Sequence, residues 1–231
     1  MLEQQIDPDQ LAAGKSQGGA SVTYKVVLFE LENFQGRKVE LSAECKDVRV
    51  KTLEKVASIV VDSGPWVGFE CQGFSGEQFI LEKGDYPRWT TWTNSQRSCF
   101  LMSLRPVKLV NGPDHKLLLF EGAGFSGRKM EIMDEDVPSL WGYGFHDRVA
   151  SIKALNGTWV AYVYPGYRGH QFVLEKGDYK HWNEWQGSRP QIQSVRRVRD
   201  MQWHKRGRFT VPAPAPAPTP TPPASSTTGS S

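Results

Sequence analysis

Between residues 24 and about 200 the chain is divided into short apolar runs in near-alternation with polar positions, each closed by a glycine or an acidic turn. Tyr24-Lys-Val-Val-Leu-Phe-Glu-Leu and Lys116-Leu-Leu-Leu-Phe-Glu have the apolar density of half-buried strands. Gly-Arg-Lys-Val-Glu-Leu at 36–41 and Gly-Arg-Lys-Met-Glu-Ile at 127–132 follow with further alternating runs. Short strands separated by turn signals predict an all-β chain of β-sandwich type. Helix is expected only as short turns, near 138–141 and 86–89.

The same pattern recurs four times as aromatic-x4-aromatic-x-Gly. The copies are Phe29, Phe34 and Gly36; Phe69, Phe74 and Gly76; Phe120, Phe125 and Gly127; and Tyr162, Tyr167 and Gly169. A serine in an apolar segment follows each glycine: Ser58, Ser103, Ser151 and Ser194. The copies are also paired. Lys55-Val-Ala-Ser-Ile returns as Arg148-Val-Ala-Ser-Ile, and Leu81-Glu-Lys-Gly-Asp-Tyr returns unchanged from Leu174, both offset by 93 residues. A two-repeat domain has therefore been duplicated.

These residue types suit one local structure. A hairpin folded sharply back over its sheet needs positive φ, which costs a residue with a side chain about 1–2 kcal/mol and glycine almost nothing. The two aromatics would cover the fold, and the later serine would bond backbone groups that the ladder leaves free. The expected role is a structural staple.

The organisation follows. Residues 1–22 are polar and aperiodic, an arm expected to be disordered. The first domain is expected at 23–105, a connecting peptide with two prolines and Asn111-Gly112 at 106–115, and the second domain at 116–199. Residues 200–231 form a C-terminal arm ending in VPAPAPAPTPTPPASSTTGSS, whose prolines favour polyproline II over a packed core.

Composition narrows the function. A net charge of +3 gives no reason to expect nucleic acid or membrane as partner. The N-terminal residues lack the apolar stretch of a signal peptide, and no run reaches the ~18 apolar residues of a membrane span. Cys45, Cys71 and Cys99 have no metal-ligand spacing and read as buried free thiols of a reducing compartment. A soluble, intracellular protein is expected.

The four motifs and their serines resemble the Greek-key signature of the β/γ-crystallin superfamily, over about 24–208. The Glu-Lys-Gly-Asp-Tyr runs with Trp89/Trp92 and Trp182/Trp185 are similar to those of β-crystallins. The basic extension from Arg199 to Phe209 resembles the basic subunits, with the third basic subtype the nearest, although the Ala-Pro tail departs from it. The resemblance implies two γ-crystallin-like β-sandwich domains of two Greek keys each. It also implies a structural constituent of the eye lens, in fibre-cell cytoplasm, that gives transparency and refractive power by dense short-range-ordered packing. The implied partners are itself, as a homodimer, and other β-crystallin subunits. No catalytic residue, cofactor or metal is expected.

The residues offer other chemistry less well. His146, Asp147 and Ser151 could suggest a hydrolase, but Ser151 recurs at the other serines while Leu53, Ser98 and Arg189 stand where the histidine would be. Glu82/Asp85 and Glu175/Asp178 are duplicated beside a Gly-Asp-Tyr turn, which favours turn chemistry and surface charge over acid–base work. Some members of the superfamily bind calcium through two Asp/Asn residues, a two-residue gap, then Ser/Thr-Ser. The matching positions are Glu54-Lys55, Cys99-Phe100, Asp147-Arg148 and Pro190-Gln191, leaving Asp147 with Ser151 as one degenerate weak candidate. A calcium-binding module is the alternative reading. The cluster Arg196, Arg197, Arg199, Lys205, Arg206 and Arg208, with Trp203, reads as a solvated strand and arm. Trp66/Trp159, Trp89/Trp182 and Trp92/Trp185 are matched and read as core; Trp141 and Trp203 have no counterpart.

Overall fold

The computed structural model describes residues 22–93, 101–110, 114–146 and 148–199. The arms at 1–21 and 200–231, Cys99 and Asp147 lie outside these residues.

The first half contributes β1 (Lys25–Leu31), β2 (Gln35–Leu41), β3 (Ser58–Ser63), β4 (Trp66–Cys71), β5 (Ser75–Leu81), β6 (Gly84–Tyr86) and β7 (Ser103–Pro106). The second contributes β8 (Lys116–Gly122), β9 (Ser126–Met133), β10 (Ser151–Asn156), β11 (Trp159–Tyr164), β12 (Arg168–Leu174), β13 (Gly177–Tyr179) and β14 (Ser194–Arg197). Among the described residues, helix is limited to 3-10 turns. The turns at Leu140–Tyr143 and Trp89–Thr91 lie near the expected places, and those at Glu32–Phe34, Val48–Lys51 and Trp182–Trp185 add to them.

The Greek keys interlock by exchanging strands. Sheet order is β2-β1-β3-β6 in the first domain and β9-β8-β10-β13 in the second, so the third strand of each second motif completes the sheet of the first. The exchange is reciprocal: Cys45, from the first motif, bridges Leu104 on β7, and Val137 bridges Val195 on β14. Each domain encloses its own core. Val26, Leu28, Ile59, Trp66, Phe79, Leu81 and Trp92 lie in the first; Leu117, Leu119, Ile132, Ile152, Trp159, Phe172, Leu174 and Trp185 lie in the second. The alternation Val26/Leu28 and Leu117/Leu119 is the period of two by which a strand turns one face inward.

Strands β4, β5, β11 and β12 are buried on both faces. Trp66 and Leu81 point into the first core, while Val67, Phe69 and Ile80 join Val160, Tyr162 and Val173 in a third cluster between the domains. The two inner sheets meet edge to edge at Gln78 and Gln171, forming one six-stranded sheet in the order β14-β11-β12-β5-β4-β7. A strand buried on both faces shows continuous apolar residues where an outer strand alternates, and Trp159-Val-Ala-Tyr-Val is such a run.

Candidate functional site

The four motifs build the same hairpin. Phe34, Phe74, Phe125 and Tyr167 have φ between 60° and 63°, and Gly36, Gly76, Gly127 and Gly169 have φ between 76° and 84°. The residue before that aromatic is left-handed too (Asn33, Gly73, Gly124 and Gly166, φ between 55° and 71°), so the chain turns through three left-handed residues per motif, where the sequence pointed only to the glycine that ends it. The aromatic carries strain that its packing offsets: it meets the first aromatic at 5.7, 5.7, 5.6 and 5.8 Å between ring centroids.

Each serine bonds that turn from inside. The hydroxyls of Ser58, Ser103, Ser151 and Ser194 accept from the N–H of Phe34 (2.9 Å), Phe74 (3.0 Å), Phe125 (2.9 Å) and Tyr167 (3.1 Å). The same hydroxyls donate to the carbonyls of Leu31, Cys71, Gly122 and Tyr164, each at 2.6 Å. All four serines are fully buried. Both functions of each hydroxyl are occupied by backbone, so the serines are placed as fasteners and not as nucleophiles. His146 meets Trp141 edge-on at 4.8 Å. Among the described residues no group of three or more His, Cys, Asp or Glu side chains could hold a metal.

The second constructed surface lies between the domains and has approximate two-fold symmetry. The side-chain carbonyl of Gln171 accepts from Ile80 N–H (2.9 Å) and its amide donates to Trp92 O (2.9 Å); that of Gln78 accepts from Val173 N–H (2.9 Å) and its amide donates to Trp185 O (3.2 Å). Both glutamines are buried with all these groups paired, so they specify register between the domains without a stranded polar atom. Their places, offset by 93 residues, carried no motif that singled them out in the sequence.

Two ion pairs flank this axis. Arg196 is bidentate to Glu82, Nη2 to Oε1 at 2.6 Å and Nη1 to Oε2 at 3.0 Å. Arg105 reaches Glu175 at 2.5 Å. Backbone N–H groups of Arg199 and Lys108 donate to the same carboxylates, and the guanidinium carbons lie 5.9 and 6.0 Å from the rings of Tyr162 and Phe69. Burial by itself would lower the Arg196 pKa, but the hydrogen bonds and charge of Glu82 outweigh it and hold the group above its ordinary value. Tyr162 is pushed up, chiefly by burial and against the neighbouring arginine.

Three sequence expectations need correction here. Glu82 and Glu175 are not surface charges: their side chains are only 14% exposed, because folding brings arginines from the distant strands β14 and β7 to them. Arg196 and Arg197 are not solvated, since Arg197 lies 3.6 Å from Asp136 and both are largely covered. Cys71 is exposed at the end of β4, in the folded hairpin, whereas Cys45 is buried. Asp85 and Asp178 remain exposed. Trp66, Trp159, Trp92 and Trp185 are buried, Trp89 and Trp182 pack against the cores from the edge, and Trp141 is half-exposed.

With this geometry in view, the chain matches the family profile described as Beta/Gamma crystallin over residues 25–107 and 116–198. It is 63% identical to Beta-crystallin B3 of Homo sapiens over 209 residues, covering 90% of this chain and 99% of that protein. Identity and coverage are the same for Beta-crystallin B3 of Gallus gallus. Against Beta-crystallin B1 of Bos taurus identity is 59% over 191 residues, 83% of this chain and 75% of that protein.

Proposed function

The chain belongs to the β/γ-crystallin family, and we propose that it acts in fibre-cell cytoplasm as a pairing subunit, forming homodimers and mixed oligomers with other β-crystallins. It is a structural, non-enzymatic crystallin of the eye lens. Transparency at high concentration requires a compact, long-lived fold and contacts that order neighbours over short range without clouding.

The observation that carries the pairing is the symmetry of the interdomain surface. Gln78 answers Gln171, Glu82–Arg196 answers Glu175–Arg105, and Val67/Ile80 answer Val160/Val173. Each domain therefore presents nearly the same patch, so a first domain from one chain can meet a second domain from another with the contacts it makes within its own. An isologous patch of this kind is what closed dimers use. The serine-fastened hairpins supply the durability: four folded tips, each bonded to a buried hydroxyl, resist the local opening that exposes strand edges.

Static light scattering from dilute solution to lens-like crowding tests the reading. The expected result is a dimer or small oligomer at the dilute end, with scattering per unit mass falling as concentration rises. Monomer throughout, or clouding at modest concentration, overturns it.

A further inference from the structure

The two domains differ at one rigid turn. The 3-10 turns Val48–Lys51 and Leu140–Tyr143 are equivalent: Val48 N–H donates to Met102 O and Leu140 N–H to Gln193 O, both at 2.9 Å. Both end on a left-handed residue, Thr52 (φ 72°) and Gly144 (φ 79°), and both bury their first side chain completely. Where the first domain shows Arg49 and Lys51 to water, the second shows Trp141 and Tyr143, 50% and 53% exposed. The fold does not need rings there, because the same turn forms with two cations.

The turn is also held in place. Arg128 donates to Gly144 O at 2.8 Å and lies 5.4 Å from the centre of the Phe145 ring. His146 packs edge-on against Trp141. Two half-exposed rings stand on a turn that is already ordered, with the His146 ring against Trp141, and together they give this platform its aromatic surface.

We propose that this platform docks the proline-rich segment 212–223 of the same chain. Aromatic rings on a rigid support take up polyproline II, which loses little entropy on binding because it is extended beforehand. Pro220 and Pro223 stand at the three-residue period that puts two prolines on one side of that helix. The reach also fits. Gln193 marks the platform end of the last strand and Arg199 its exit, a separation of about 20 Å at strand rise. Twelve residues, 200–211, lie between Arg199 and Pro212, the start of the segment, and an unconstrained chain of that length spans about 20 Å. Effective concentration is greatest when span and linker length agree, in the millimolar range for short linkers, enough for a weak contact to close. Docking would cover two rings that crowding otherwise turns into a point of self-association.

The test compares NMR spectra of the full chain with those of the full-length variant carrying Trp141→Arg and Tyr143→Lys, the types used by the first domain. The expected result is that Ala213, Ala217 and Thr221 signals in the parent are displaced from free-chain positions and return to them in the variant, while the dispersed signals of the folded body persist. Replacing Pro220 and Pro223 by Ser, which leaves the domains untouched, should shift the Trp141 indole N–H, and adding excess synthetic tail peptide to that variant should shift it back toward the parent position. Superimposable tail signals in parent and variant overturn the proposal. Displacement that grows with protein concentration also overturns it, because the docked tail would then be a neighbour's.

Discussion

Replacing Ser151 by Ala isolates the fastener. It removes the acceptor for Phe125 N–H and the donor to Gly122 O, at 2.9 and 2.6 Å, and leaves one small void. A hydrogen bond of this kind contributes about 1 kcal/mol net, and a polar group stranded away from water costs about 1–3 kcal/mol. Ser151 is fully buried, so water does not replace the hydroxyl without opening the sheet, although the half-exposed hairpin tip can recover part of the loss. The sum is about 2–4 kcal/mol, a large share of the ~5–15 kcal/mol of an ordinary fold. Urea unfolding followed by tryptophan fluorescence reads it: with a slope near 1.5 kcal/mol per molar, the midpoint of the second domain should fall by about 2 M. Ser126→Ala is the control. Its hydroxyl donates to Ala123 O at 2.7 Å in the same hairpin but is exposed, and the expected change is within about 0.5 kcal/mol. A Ser151→Ala midpoint within about 0.2 M of the parent at unchanged slope would refute the reasoning.

Three further outcomes are expected. Glu82→Ala should destabilise by about 2–4 kcal/mol because it strands the covered Arg196 guanidinium, whereas Glu82→Leu with Arg196→Met should recover most of that loss; equal losses in a urea double-mutant cycle would deny the coupling. Gly169→Ala should be more damaging than Gly127→Ala, since its Cβ would meet Tyr164 and Val163 side chains at 2.6 Å while that of Gly127 finds its nearest neighbour at 3.3 Å; a thermal melt ranks them, and the reverse order would contradict the packing. Side-chain and then backbone hydrogen bonds from Arg37 hold the Glu30 carboxyl at about 2. The folded value lies below the unfolded one, so the pair's contribution is present above the ordinary carboxylate range and is lost as pH falls toward about 2. The Glu30 carboxyl carbon should titrate in NMR near that value, and a midpoint in the ordinary range would show that the pair does not persist in solution.

Much of the molecule could be read from one dimension. The motif pairs Phe29/Phe34 through Tyr162/Tyr167, their glycines and their serines recur because every hairpin must solve the same local problem, and a repeated problem leaves a repeated signature. Core Trp66 and Trp159 were legible for the same reason: a strand alternates faces with period two, and duplication shows the position twice. Trp141 is visible in the sequence as a tryptophan without a counterpart in the repeat, although only the shared hydrogen bonds of the two turns show that a ring there is not required by folding.

What the sequence alone could not decide lies where the two halves meet. Glu82 and Arg196 are 114 residues apart, and Gln78 and Val173 are 95 apart. Nothing local marks either pair, and Glu82 sits in a turn where a solvated carboxylate reads equally well. The left-handed φ of the second aromatic is hidden similarly: the propensity of Phe argues against it, and only the ring packed on its partner with Ser151 or its equivalents beneath makes that conformation the stable one. Periodicity determines which face of a strand is apolar; it does not determine which surface covers that face. That choice belongs to the tertiary structure, because the stability of a buried charge or a strained turn depends on groups that only the folded chain brings within reach.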